Sequence, residues 1–206
     1  WIEDPAMSRT AAARTAPLSS SHRRLPTTPR ETIELGRQVI AQEACALESL
    51  LDRLDADFAA AVAKLVDLRG NLIVTGIGKA GLIGQKLAAT FASTGTRAHF
   101  LHPAEAFHGD LGRIADDDCV LALSQSGETS EVLQLLAPLG QRRISLVAMT
   151  SSRSSTLGRA ADLTLTLGRL DEACSLGLAP STSTTAMLAV GDALALVTSR
   201  LKGFEA

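Results

Sequence analysis

Three hydroxyls, an amide and a glycine fall within six residues at Ser124-Gln125-Ser126-Gly127-Glu128-Thr129, with Ser130 and Glu131 directly after them. Hydroxyl groups combined with main-chain N–H groups at a helix start can cradle a phosphate without a lysine cluster, because the helix dipole favours negative charge there. The plainer alternative is a capping turn closed by Thr129 or Ser130. Three hydroxyls and a glycine are more than a cap requires. A second loop, Gly76-Ile77-Gly78-Lys79-Ala80-Gly81, joins an apolar run to a helical segment. Its glycines let backbone amides approach an anion and Lys79 adds a mobile charge. Taken alone, it reads equally well as a tight turn with a solvated lysine. It is not a dinucleotide fingerprint, since the third glycine is displaced and no acidic residue ends a second strand about 20 residues on. It is not a P-loop either, since the four-residue spacer between glycines and the Lys-Ser/Thr pair are missing.

Both loops need a scaffold, and the sequence supplies one. Asn71–Thr75 is a short apolar run bounded by Gly70 and Gly76, and similar runs recur at Ala98–Leu101, Cys119–Ser124, Ser145–Met149 and Asp162–Leu167. Segments able to hold helices separate them, which predicts a parallel sheet covered by helices. Upstream, Ile33, Val39, Ile40, Leu47, Leu50, Leu51 and Leu54 form a stripe that predicts one long amphipathic helix from Glu31, followed by a second helix over Asp57–Leu68. The stretch from Thr182 to Leu201 follows Pro180 and several hydroxyl residues suited to N-capping, and should be a long closing helix.

With 206 residues and 46% hydrophobic content, the chain can bury one good core. Basic and acidic residues nearly balance at a net charge of -2, so no polycationic surface for nucleic acid is present and any anionic ligand must be held locally. Cys45, Cys119 and Cys174 are far apart and lack metal-ligand spacing, which suits reduced thiols in the cytoplasm and no metal site. No apolar run reaches the ~20 residues of a membrane span, and the N-terminus lacks a secretory apolar core. Residues 1–30 are rich in Arg, Ser, Thr, Ala and Pro and are expected to be a disordered tail, with Met7 a candidate natural start and a faint likeness to a transit peptide.

The Ser-x-Ser-Gly-x-Thr loop resembles the phosphate signature of SIS (sugar isomerase) domains. The likeness extends through Gly76–Gly81, Ala89–Thr96, His102–Gly112 and Glu172–Thr185, and across roughly Glu31 to the C-terminus it is similar to the SIS domain of the arabinose 5-phosphate isomerase family. The resemblance implies an α/β fold, a three-layer αβα sandwich over a five-stranded parallel sheet with flavodoxin-like winding. It implies an aldose-ketose isomerase that interconverts D-ribulose 5-phosphate and D-arabinose 5-phosphate, at the entry to the eight-carbon acidic sugar of Gram-negative lipopolysaccharide. Other readings are a non-catalytic sugar-phosphate-binding module and an SIS isomerase of another ketose phosphate.

Such a reaction moves protons through an enediol, so it needs acid and base groups and no cofactor. The likeness places Lys79, Glu131 and Glu172 at functionally important positions. Lys79 is expected to stabilise the enediolate oxygen, and Glu172 or Glu131 to transfer the proton. His108 is a candidate for ring opening or oxygen protonation, with His102 near the sugar. The phosphate is expected at Ser124, Gln125, Ser126, Gly127, Thr129 and Ser130, with Gly78, Gly95 and Thr96 completing the substrate site. His99 and His22 are read as structural or solvated. The family implies a homo-oligomer, a tetramer whose sites are completed across subunits. Its pattern continues beyond Gly203-Phe204-Glu205-Ala206 with a Ser-His-Pro-Gly-Gly segment and a pair of CBS domains. A trimmed fragment is expected to bind phosphate with activity reduced or lost.

Overall fold

A computed structural model describes residues 28–177 and 179–205. Residues 1–27, with the predicted tail, Met7 and His22, lie outside the described residues. The first helix begins earlier than the tail reading allowed: α1 spans Pro29–Ser49. Thr28 accepts from the N–H of Glu31, and the Glu31 carboxylate accepts from the N–H of Thr28, so a capping box starts the helix with Pro at its first turn.

The predicted single helix to Leu54 is interrupted. After Ser49 the chain makes a 3-10 turn at Leu51–Arg53, and α2 (Ala56–Val66) then starts from Asp55, whose carboxylate accepts from the N–H groups of Asp57 and Phe58. The capping carboxylate wins over the apolar stripe because a free helix N-terminus leaves main-chain donors unsatisfied.

Five parallel strands follow: β1 (Leu72–Gly76), β2 (Ala98–Leu101), β3 (Cys119–Leu123), β4 (Ser145–Thr150) and β5 (Leu163–Thr166), in the order β2-β1-β3-β4-β5. This is the flavodoxin-like winding, with the strand order reversing direction between β1 and β3. In β1 and β3 every residue is buried, as expected of central strands covered on both faces. The side chains of β1, β3 and β4 alternate between two cores. Leu72, Val74, Leu121 and Met149 face α2, α3 (Gly78–Ser93) and α8 (Thr182–Leu201), while Ile73, Val120, Ala122 and Ala148 face the shorter helices α4 (Pro103–Ala106), α5 (Ser130–Leu133), α6 (Leu136–Arg142) and α7 (Thr156–Ala160).

Helix α1 is the exception to this layering, because none of its 21 residues is buried. It is tied to the body through Gln42, whose side-chain N–H donates to the carbonyl of Asp171, and through Glu43, which accepts from the Thr185 hydroxyl.

Candidate functional site

A cleft of about 910 Å³ opens at the carboxyl ends of β1, β3, β4 and β5, beside the point where the strand order reverses. Open parallel sheets leave a crevice there because the loops after neighbouring strands diverge. Lys79, Ser126 and Glu172 reach it from three different loops.

On the β1 side, Gly78 has φ +60, a conformation that glycine adopts without the Cβ penalty, and it turns the chain into α3. A Cβ on Gly81 would lie 2.8 Å from the carbonyl oxygen of Gly76, so this pair brings helix and strand together. Ile77 precedes the helix without a side-chain cap, leaving the first-turn N–H groups of α3 on the cleft wall beside Gly78, Lys79 and Ala80. Lys79 is exposed and its side chain makes no hydrogen bond or ion pair among the described residues.

The β3 loop is held by its own hydroxyls. Ser124 and Thr129 share a hydrogen bond of 2.8 Å, Ser124 Oγ accepts from the Gly127 N–H at 3.1 Å, and Ser126 Oγ accepts from the Glu128 N–H at 3.1 Å. Glu128 accepts from the Thr156 N–H at 2.7 Å, a bond that holds its carboxyl below the usual range and ties the loop to α7. Gln125, Ser126 and Thr129 line the cleft, whereas Ser124 and Gly127 form the inner turn that shapes it. The neighbouring loops are stitched to it: Ser151 N–H donates to Gln125 O at 2.9 Å and Gln125 Nε2 donates to Gly168 O at 3.3 Å.

Helix α5 has only four residues, so its dipole contributes less to an anion site than the sequence reading assumed. Ser130 and Glu131 sit in this helix outside the cleft lining. Ser130 donates to the Glu131 carboxylate at 2.7 Å, which holds that carboxyl below its ordinary range, with His102 adding a smaller electrostatic effect. His102 itself caps α4: its Nδ1 accepts from the Ala104 N–H at 3.2 Å, which puts the proton of a neutral ring on Nε2. His108 is exposed just beyond α4, and neither histidine lines the cleft of its own chain. His99 is partly buried in β2, and burial lowers its pKa, in keeping with a structural reading.

Gly95 and Thr96 lie away from the cleft of their own chain. They follow the C-terminal end of α3, and 16 helical residues at about 1.5 Å each place them some 24 Å from Gly78 at the opposite edge of the sheet. There Gly95 turns with φ +85 against Phe204, and buried Thr96 accepts from Lys202 at 3.0 Å. In this chain both close the helix and carry no contact to the cleft.

Sequence reasoning missed Ser151, Ser152 and Arg169, which line the cleft from the loops after β4 and β5. The available signal was position: each lies just past the end of a predicted strand, where ligands of parallel sheets bind. Among the described residues no group of three or more His, Cys, Asp or Glu side chains is placed to hold a metal ion, and no helix is long and apolar enough to cross a membrane.

The SIS domain model matches residues 64–197, which carry all five strands and every cleft wall. The chain belongs to the SIS domain family. This SIS chain is 48% identical over 171 residues to the arabinose 5-phosphate isomerase KdsD of Yersinia pestis, covering 83% of this chain and 52% of that protein. It is 46% identical over 174 residues to the KdsD of Pseudomonas aeruginosa, covering 84% and 53%. It therefore spans about half the length of the curated relatives it matches. Among solved structures, E. coli CFT073 c3406 in complex with A5P superposes with a TM-score of 0.84 at 43% identity, covering 86% of this chain and 95% of that one.

Proposed function

We propose that the cleft binds a sugar phosphate and interconverts D-ribulose 5-phosphate and D-arabinose 5-phosphate. The observation that carries this reading is that Lys79 and Glu172 line one cleft with the hydroxyl loop Ser126–Thr129, in a chain similar to arabinose 5-phosphate isomerases. The phosphate sits against Ser126, Thr129 and the amides of their loop. A carboxylate then takes the proton from C2 of the aldose, the electrons of that bond form the C1–C2 double bond, and the negative charge moves to O1. Moving the O2 proton to O1 and returning the abstracted proton to C1, as the C1–C2 double bond gives way to C2=O2, yields the ketose, so atoms and charge balance without a redox partner.

Lys79, unpaired at the uncapped end of α3, supplies positive charge for the enediolate oxygen. Of the two candidate carboxylates, Glu172 lines the cleft and Glu131 does not, which favours Glu172 as the base. The exposed position of His108, outside its own cleft, suits a role in a neighbouring copy's site. We read the assembly as a homotetramer, the compartment as the cytoplasm, and the product as a precursor of the eight-carbon acidic sugar of lipopolysaccharide.

The test is a coupled assay of the chain with D-ribulose 5-phosphate, run beside Lys79→Ala. Turnover is expected, with kcat about 100-fold lower and KM little changed in the variant, because charge near a developing enediolate acts in the transition state. Calorimetric binding of arabinose 5-phosphate without turnover, both in this chain and in one extended by the family's Ser-His-Pro-Gly-Gly segment, would leave a sugar-phosphate-binding module instead.

A further inference from the structure

The cleft carries a second cation. Arg169 lines it from the loop after β5, opposite Lys79 in the first turn of α3 after β1. Other arginines have structural work: Arg153 is clasped by Asp55 and Asp57, Arg142 by Asp116 and Arg113 by Asp110. Arg169 is exposed and has no hydrogen bond or ion pair among the described residues.

Its backbone is nevertheless fixed. Gly168 takes φ +75, and its carbonyl accepts from Gln125 Nε2 at 3.3 Å. The space a Cβ would fill on Gly168 is occupied by the Arg53 guanidinium. The residue immediately before Arg169 is thus bonded to the residue between Ser124 and Ser126, which places Arg169 beside the hydroxyl loop.

Charge balance says what it does there. The hydroxyls and amides of the loop are neutral, and the four-residue α5 adds little dipole. Lys79, on the reading above, serves the reacting end of the sugar. A phosphate dianion therefore lacks a charged partner unless Arg169 provides it, and the guanidinium fork matches two phosphate oxygens. We propose that Arg169 closes over the phosphate of the bound sugar phosphate as its ionic partner. It is a binding group remote from the reacting carbons, so it acts alike on ground state and transition state and sets KM rather than kcat.

This inference rests on the sugar-phosphate reading of the cleft, and the experiment separates the two. Arg169→Ala, Arg169→Lys and a charge-matched control, Arg200→Ala at the far end of α8, are compared with the unmodified chain. The readouts are isomerisation of D-arabinose 5-phosphate and calorimetric titration with D-arabinose 5-phosphate and with inorganic phosphate. Arg169→Ala is expected to raise KM and both dissociation constants by about 10-fold with kcat within about twofold, Lys to recover part of the loss, and the control to match the unmodified chain. Unchanged KM and phosphate affinity in Arg169→Ala, or a fall in kcat alone, overturns the proposal while leaving the isomerase reading intact. Phosphate binding that depends on Arg169 in a chain without turnover upholds it, and removes the isomerase reading when the chain extended by the family's Ser-His-Pro-Gly-Gly segment is inactive too. No binding of either ligand by the unmodified chain overturns both.

Discussion

The Glu172 carboxylate accepts a hydrogen bond of 2.7 Å from the main-chain N–H of Ser181, and the same oxygen accepts from Ser183 at 3.3 Å. Ser181, at the N-cap position of α8, makes no side-chain cap of its own. The expected hydroxyl cap is therefore replaced by a carboxylate from nine residues upstream. Ala173 N–H donates to Thr182 Oγ1 at 3.1 Å and closes the same loop from the other side. One residue thus both lines the cleft and starts the long helix behind it.

That double position predicts different outcomes for two substitutions. Glu172→Gln keeps an oxygen acceptor for Ser181 and should leave stability within about 1 kcal/mol, whereas Glu172→Ala removes the cap and should cost about 1–2 kcal/mol. Both should lose about 100-fold or more in kcat if Glu172 is the base. Urea unfolding and steady-state kinetics on the same samples decide it. A fully active Glu172→Gln would assign the residue to the helix cap alone.

The sheet was legible because the central strands β1, β3 and β4 are predominantly apolar runs, the mark of parallel strands buried on both faces, while the edge strands β2 and β5 are shorter and mixed; predicted and observed limits agree for Ala98–Leu101 and differ by one residue at most for the other strands. The break after Ser49 was not, since Leu51 and Leu54 continue the apolar stripe and only Asp55 signals a new start. The distance of Gly95 and Thr96 from the cleft of their own chain is set by helix length, which motif order does not show. Counting from Gly78 puts them past the far end of α3. Arg169 escaped because its place in the cleft depends on β5 lying two strands from β3, a relation that no local motif carries.

Gly127 should tolerate no side chain. It has φ +67, and a Cβ there would lie 2.2 Å from Ser155 Oγ. Ser155 cannot move freely, because it donates to Ser152 O and accepts from Gly158 N–H as the cap of α7. Gly127→Ala is expected to cost about 1–3 kcal/mol and to shift the hydroxyl loop. A lower Tm together with weaker arabinose 5-phosphate binding by calorimetry is the expected pair of results; unchanged affinity would separate this turn from the ligand.

Exposed apolar residues on α1 bear on assembly. Ile33 is 56% exposed and Ile40 70%, with Leu196 and Leu201 on α8 also exposed. A helix that leaves large apolar side chains exposed and buries none of its residues on its own chain, as α1 does, is a common mark of a subunit interface. Light scattering should give a mass near that of four chains, and Ile33→Glu with Ile40→Glu should lower it with little loss of helix content. A monomer mass for the unmodified chain at micromolar concentration would refute the homotetramer.

Cys119 makes the stability of the fold sensitive to alkali. Its thiol is fully buried in β3, and burial pushes its pKa from 9.0 up to about 11. The charged form here is the thiolate, so between these values the unfolded chain releases its proton while the folded chain keeps it. The folded state then binds more protons, and stability falls as pH rises. The contribution is intact below about pH 9 and is lost progressively toward pH 11, to a limit of roughly 3 kcal/mol for two pKa units. With no tyrosine in the chain, fewer other groups titrate in that window. Cys119→Ala changes the absolute stability through packing, but that cost is the same at every pH, so the slope is the informative quantity. Denaturant unfolding at half-unit steps from pH 8 to 11 should give a shallower decline for Cys119→Ala than for the unmodified chain. Parallel curves would mean that the thiol ionises with equal ease in both states and that its burial is breached before the fold opens.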